Sequence, residues 1–175
     1  PEGHLPVTFY RSTEELPDFT DYAMKGRTYR YMEKEALYPF GYGLSYTEFA
    51  YENLSVSDEM IGKDGVRMKV TLENKGKMAG TETVQVYVKA MREGSPNAQL
   101  KAIKKVTLLP GEKKEISLTL PLSAFALYDE EAVCRVQKGQ YRILAGGSQP
   151  DQRSCKLMGK APVFVTVNMA EEIIL

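Results

Sequence analysis

The chain is 175 residues long and 43% hydrophobic, enough for one domain with its own core plus an attached piece. Its 23 Lys and Arg balance 23 Asp and Glu, so no overall field would draw it to nucleic acid or to an anionic membrane, and neutral partners are expected. No apolar stretch approaches the ~18 residues of a spanning helix, so no membrane insertion is expected.

The opening Pro1-Glu2-Gly3-His4 has neither an initiator methionine nor a signal-peptide pattern. It reads as a cut end, so the missing signal says nothing about where the parent protein works. Residues 1–48 follow neither the helical nor the strand period. Twelve of the seventeen Tyr and Phe lie at or before Tyr51. Pro6, Pro17 and Pro39, with Gly26, Gly41 and Gly43, break up any long helix and favour an extended, looping path. Rings this crowded would expose more apolar surface than a soluble monomer tolerates, so the segment is expected to lie as a strap on a neighbour. Its acidic residues Glu14, Glu15, Asp18 and Asp21 read as a solvated loop.

Alternation begins at Phe49. Val66, Met68, Val70 and Leu72 fall on one face of a strand, with Arg67, Lys69 and Thr71 on the other. The same stripe returns at Val84, Val86 and Val88, at Ile116, Leu118 and Leu120, at Tyr141, Ile143 and Ala145, and at Val163, Val165 and Val167. Phe49 to Val56 and Ala102 to Leu109 add two less regular strands. Turns separate these runs, among them Asn74-Lys75-Gly76 and Lys138-Gly139. Pro110-Gly111 suits type II, since proline presets the first central φ and glycine accepts the positive one. About seven short strands with no convincing amphipathic helix predict a mainly β fold, an antiparallel sandwich of the immunoglobulin or fibronectin type III kind with an irregular N-terminal extension. Residues 149–175 read as a polar loop, the Val163 to Val167 strand and a short tail. The predicted boundary places the strap at 1–48 and the sandwich at 49–175.

Reactive residues are few. Cys134 and Cys155 lack C-x-x-C spacing and His4 is the single histidine, so neither a structural zinc site nor a Ser-His-Asp arrangement is expected, and no metal or cofactor is predicted. The two cysteines read as free thiols, with a disulfide left open. Gly41-Tyr42-Gly43 and Gly146-Gly147 lack the context of a phosphate loop and read as turns. Lys101, Lys104, Lys105, Lys113 and Lys114 read as a solvated edge. Asn53-Leu54-Ser55 fits an N-glycosylation acceptor, a match that arises easily by chance.

Three stretches of the strap, H-L-P-V-T-F-Y (His4 to Tyr10), G-R-T-Y-R-Y (Gly26 to Tyr31) and Y-P-F-G-Y-G-L-S-Y-T (Tyr38 to Thr47), resemble the end of the second domain of glycoside hydrolase family 3, which includes β-glucosidases and β-xylosidases. Asn74 to Val88, L-L-P-G-E-K-K-E-I (Leu108 to Ile116) and K-G-Q-Y-R-I-L-A-G-G-S (Lys138 to Ser148) resemble that family's C-terminal fibronectin type III-like module. The sequence departs from the family in having no tryptophan, with Ala132 to Val136 where many members carry one, and in Ile103, where many have phenylalanine. Both changes keep the sites apolar.

The resemblance implies a retaining, exo-acting β-glycosidase as the parent, with two carboxyl groups ~5 to 5.5 Å apart, both supplied outside the matched region. This chain would then be an accessory C-terminal module, inactive alone, whose partners are the catalytic domains of the same parent chain. The resemblance also implies export to a periplasm or cell exterior. Arg27, Tyr29, Tyr31, Phe40, Tyr42 and Tyr46 are the candidate site residues. Two readings stand for them: packing between domains, or stacking on an oligosaccharide whose hydroxyls Arg27 or Arg30 would bind. A carbohydrate-binding or protein-docking sandwich is the alternative function.

Overall fold

The computed structural model describes residues 3–175. Its strands are β1 (Phe49–Val56), β2 (Val66–Asn74), β3 (Gly80–Ala90), β4 (Gln99–Leu108), β5 (Lys113–Leu120), β6 (Leu127–Tyr128), β7 (Cys134–Val136), β8 (Gly139–Gly146), β9 (Val163–Met169) and β10 (Ile173–Ile174). They form a three-stranded sheet in the order β1-β2-β5 and a four-stranded sheet in the order β4-β3-β8-β9, every pairing antiparallel. The chain crosses between sheets from β2 to β3, returns from β4 to β5 and crosses again to reach β8. This is the sandwich that the sequence predicts.

The core lies where the apolar stripes meet. Val66, Met68, Val70 and Leu72 of β2 are buried against Val84, Val86 and Val88 of β3 and Tyr141, Ile143 and Ala145 of β8 in one cluster. Register keeps the stripes aligned across strands: Val70 stands opposite Ile116, and Val86 opposite Ala145. Leu118 of β5 and Val163 and Val165 of β9, both edge strands, are only half-buried and pack against the rim of the core. The turn at Pro110-Gly111 is the predicted one, with φ 74° at Gly111 and a 3.0 Å bond from Glu112 N–H to the Leu109 carbonyl.

Two features differ from the sequence reading. The supposed polar loop after Ser148 contains a helix, α2 (Gln152–Met158), following the single-turn α1 (Thr28–Tyr31) of the strap. Asp151 caps α2 by accepting from Ser154 N–H at 2.6 Å, and the left-handed Gly159 ends it. Seven residues with only Ser154 buried are too few for an apolar period to show. The strands β6, β7 and β10, of two or three residues each, form a small third sheet for the same reason unseen.

Asn74 joins the parts. Fully buried at the end of β2, its Oδ1 accepts from Thr47 Oγ1 (2.6 Å) and Gly76 N–H (3.1 Å), and its Nδ2 donates to the carbonyls of Met78 (2.8 Å) and Leu108 (3.2 Å). One amide thus ties the end of the strap to the β2–β3 turn and to β4. Asn74→Ala strands these partners and is expected to cost about 2–4 kcal/mol, against about 1 kcal/mol for Thr47→Val, which removes a single bond. Urea unfolding of both variants checks the ranking, and equal losses would refute it.

Candidate functional site

Alternation along β3 predicts one buried face, yet Thr83, Gln85 and Tyr87 on its opposite face are buried as well. The cover is the strap. Its two limbs pair with each other through Leu5 N–H to the Tyr42 carbonyl (2.9 Å), Gly41 N–H to Leu5 (2.8 Å), Phe9 N–H to Tyr38 (2.9 Å) and Leu37 N–H to Phe9 (2.8 Å). This short ladder lies across the outer side of the four-stranded sheet.

Gln85 fastens it. At 2% exposure, its Nε2 donates to the carbonyls of Gly41 (2.9 Å) and Gly147 (3.0 Å), while its Oε1 accepts from the Tyr87 hydroxyl (2.6 Å). The chain passes so close that a Cβ on Gly41 would stand 2.2 Å from Gln85 Oε1, and Gly41 has φ 76°; only glycine suits the position. His4 Nδ1 donates to the same Gly41 carbonyl at 2.7 Å. On the other side, Asn97 Nδ2 holds the carbonyls of Tyr29 (3.0 Å) and Met32 (2.9 Å), Leu100 N–H donates to the Tyr29 hydroxyl (3.1 Å), and Gln149 N–H donates to the Phe40 carbonyl (3.2 Å).

The six candidate residues do not converge. Tyr29 stacks on Phe40 with centroids 4.2 Å apart and meets Tyr87 edge-on, so this pair faces the sheet. Tyr42 stacks on Tyr38 at 5.7 Å within the ladder. Arg27 is half-buried, its guanidinium donating to the carbonyls of Asp18 and Asp21 inside the strap loop. Tyr31 and Tyr46 face outward, Tyr46 at 79% exposure. Phe19 (93%), Tyr22 (87%) and Leu44 (68%) are open too, and sequence reasoning did not single them out, since exposure of a ring in an aperiodic segment leaves no pattern.

Glu82 was also missed. It is buried on the inward face of β3, its Oε1 accepting from the hydroxyl of Tyr51 in the other sheet at 2.7 Å, and it lines a cavity of about 200 Å³ with His4, Tyr42 and Lys160. Loss of hydration holds its carboxyl above the usual range, although the Tyr51 hydrogen bond and the charges of His4 and Lys160 oppose the shift. The Tyr51 hydroxyl is pushed well up, by burial first and by Glu82 second. Among the described residues no group of three or more His, Cys, Asp or Glu could hold a metal, and no helix is long and apolar enough to cross a membrane. Cys134 and Cys155 are free thiols. Lys113 of the edge strand β5 stays exposed and pairs with Glu73 at 3.1 Å.

Residues 82–149 match the fibronectin type III-like domain. A xylan 1,4-beta-xylosidase of Xylanibacter ruminicola is 37% identical over 161 residues, a match that covers 90% of this chain. The structure of beta-glucosidase 3B from Thermotoga neapolitana superposes on all of this chain with a TM-score of 0.82 and 32% identity, covering 25% of that protein. The chain belongs with the C-terminal regions of family 3 glycoside hydrolases. Another member, a periplasmic beta-glucosidase of Salmonella typhimurium, is 32% identical over 83% of this chain. The chain spans 18% of the length of the xylosidase and 21% of that of the periplasmic glucosidase, so in its relatives this family 3 region sits within a much longer protein.

The raised pKa of Glu82 gives stability a direction with pH. An acid whose folded pKa lies above its unfolded value stabilises below the unfolded pKa, and that contribution is lost as pH rises through the folded one. Stability is therefore expected to fall as pH climbs from the ordinary glutamate range through the raised value, and Glu82→Gln should flatten this window. Urea titrations at stepped pH check it; an unchanged slope in the variant would assign the pH dependence elsewhere.

Proposed function

We propose that the chain is the accessory C-terminal part of a retaining, exo-acting β-glycosidase, a β-glucosidase or β-xylosidase, inactive alone and serving to hold the catalytic domains in place. In this reading residues 1–48 end the α/β sandwich domain and strap it to the fibronectin-like domain of residues 49–175. The nucleophile and the acid/base come from the rest of the protein, as a retaining carboxyl pair ~5 to 5.5 Å apart. The periplasmic relative supports export to a periplasm or cell exterior.

The observation that carries the reading is the two-sidedness of the strap. Tyr29 and Phe40 are used on the sheet, whereas Leu16, Phe19, Tyr22, Leu44 and Tyr46 are more than half exposed in the same segment. An apolar surface of this kind marks a contact with protein. Burying a few hundred square ångströms of it would contribute several kcal/mol at about 25 cal/mol per Å², before ordering costs.

The triple variant Phe19→Ser, Tyr22→Ser, Tyr46→Ser is expected to leave the unfolding midpoint of residues 1–175 within experimental error, because these rings touch little within the chain. In the whole glycosidase the same changes should lower Tm by several degrees and reduce activity. A whole enzyme indifferent to all three would dispose of the docking role.

A further inference from the structure

Asn74 gathers more than the strap. Besides its side-chain bonds to Thr47, Gly76, Met78 and Leu108, its N–H donates to the Glu112 carbonyl (3.0 Å) and its carbonyl accepts from Gly111 N–H (2.8 Å). The β4–β5 turn is thereby tied to the same residue as the β2–β3 turn and the end of the strap. The strap lies directly on the β2–β3 connection: a Cβ on Gly80 would stand 2.6 Å from Thr47 Cγ2, and one on Gly76 would stand 2.9 Å from the Glu48 amide nitrogen. Three segments distant in sequence therefore meet in one fixed surface at this end of the sandwich.

Large apolar side chains crown that surface. Met78 of the β2–β3 turn is 56% exposed and Leu109 of the β4–β5 turn 64%, and Leu44 and Tyr46 stand open just before Thr47. Charged neighbours are already engaged: Lys75 and Lys113 share Glu52 and Glu73, and Glu112 accepts from Leu109 N–H at 2.8 Å. Apolar side chains grouped on a fixed frame suit contact with protein.

The path of the chain points to which protein. Gly3 runs against the outgoing limb of the strap, since a Cβ on Gly43 would stand 2.5 Å from the Gly3 carbonyl oxygen, and His4, Gly43, Leu44, Thr47 and Thr81 line one small cavity. Any polypeptide preceding residue 1 therefore enters at this end of the sandwich. In the xylosidase and the periplasmic glucosidase most of the protein lies outside the matching region.

We propose that Met78, Leu109, Leu44 and Tyr46 form one seat for the part of the same polypeptide that enters beside Gly43. The inference rests on the docking reading of the strap and extends it to the sandwich: two of its turn tips share the contact. Because Asn74 fixes the frame in advance, little further order is lost when the seat is filled.

Hydroxyl-radical footprinting of the whole glycosidase, read side chain by side chain by mass spectrometry, tests the seat. Met60, 44% exposed between β1 and β2 at the other end of the sandwich, is the reference. Met78 is the more open of the two methionines within this region, so without a cover it oxidises faster; with the seat filled it is expected to oxidise severalfold more slowly than Met60. Leu109→Ser should raise the oxidation of Met78 and of side chains just upstream of residue 1, while the buried Met68 stays unoxidised as the sign of a folded sandwich. Tyr46→Ser, at the open rim, is a second variant with the same expectation. Faster oxidation of Met78 than of Met60, no rise at Met78 in either folded variant, or a protection that fades on dilution and so marks a second copy would overturn the proposal. Phe19 and Tyr22 are read in the same digest: if they are protected while Met78 is open, the strap docks and only the seat fails, and if all are open the docking reading fails with it.

Discussion

A glutamine with no access to water sits in the middle of a sheet's outer face, and the rest of the arrangement follows from how it is satisfied. Burying an amide without partners is expensive, so Gln85 is tolerable only because the carbonyls of Gly41 and Gly147 and the hydroxyl of Tyr87 meet it. Two of those partners belong to different parts of the chain. Remove the strap, and Gln85 keeps Gly147 while losing Gly41; remove the glycine, and the backbone stands off by the width of a methyl group. The module therefore specifies the position of the strap by hydrogen bonding, and the Tyr29–Phe40 stack on Tyr87 adds the apolar area.

That fixed inner face explains how the outer one remains open. A flexible segment bearing Phe19, Tyr22 and Tyr46 would fold them onto whatever apolar surface lay nearest. Here the limbs of the strap are paired with each other and pinned by Asn97, Gln149 and Arg153, so the outward rings stay outward. Pre-organisation of this kind lowers the entropy lost when a partner surface arrives. It is consistent with relatives in which this region makes up about a fifth of a longer chain.

The balance of charge is instructive at a different scale. Equal numbers of acidic and basic residues suggest neutral partners, and over the whole molecule the field does cancel. Locally it does not. Many of the acids are committed to pairs at other places, such as Glu73 with Lys113 and Asp129 with Arg135, whereas Lys89 and Arg142 stand directly opposite each other on β3 and β8. Net charge reports on long-range steering and solubility, while a local contact depends on which charges share it.

The sandwich was legible residue by residue: the stripes of β2, β3, β5 and β8, the turn at Gly111 and the start of β1 all follow from period-two alternation and turn chemistry, which are local properties. The helix α2 and the strands β6, β7 and β10 were not, because each is too short to display a period. Aromatic crowding in the strap showed that those rings needed cover, yet sorting Tyr29 and Phe40 inward from Tyr31 and Tyr46 outward required knowing where Gln85 and Asn97 stand in space. Glu82, Gln149 and the Lys89–Arg142 pair lay beyond reach altogether, since burial of a polar side chain and the facing of like charges across strands are set by contacts between residues tens of positions apart. Sequence by itself determined which residues alternate and where the chain turns, through steric preferences acting over a few bonds; tertiary structure alone decided which polar groups are buried and which charges meet, because desolvation and Coulomb energy depend on distance in space and not along the chain.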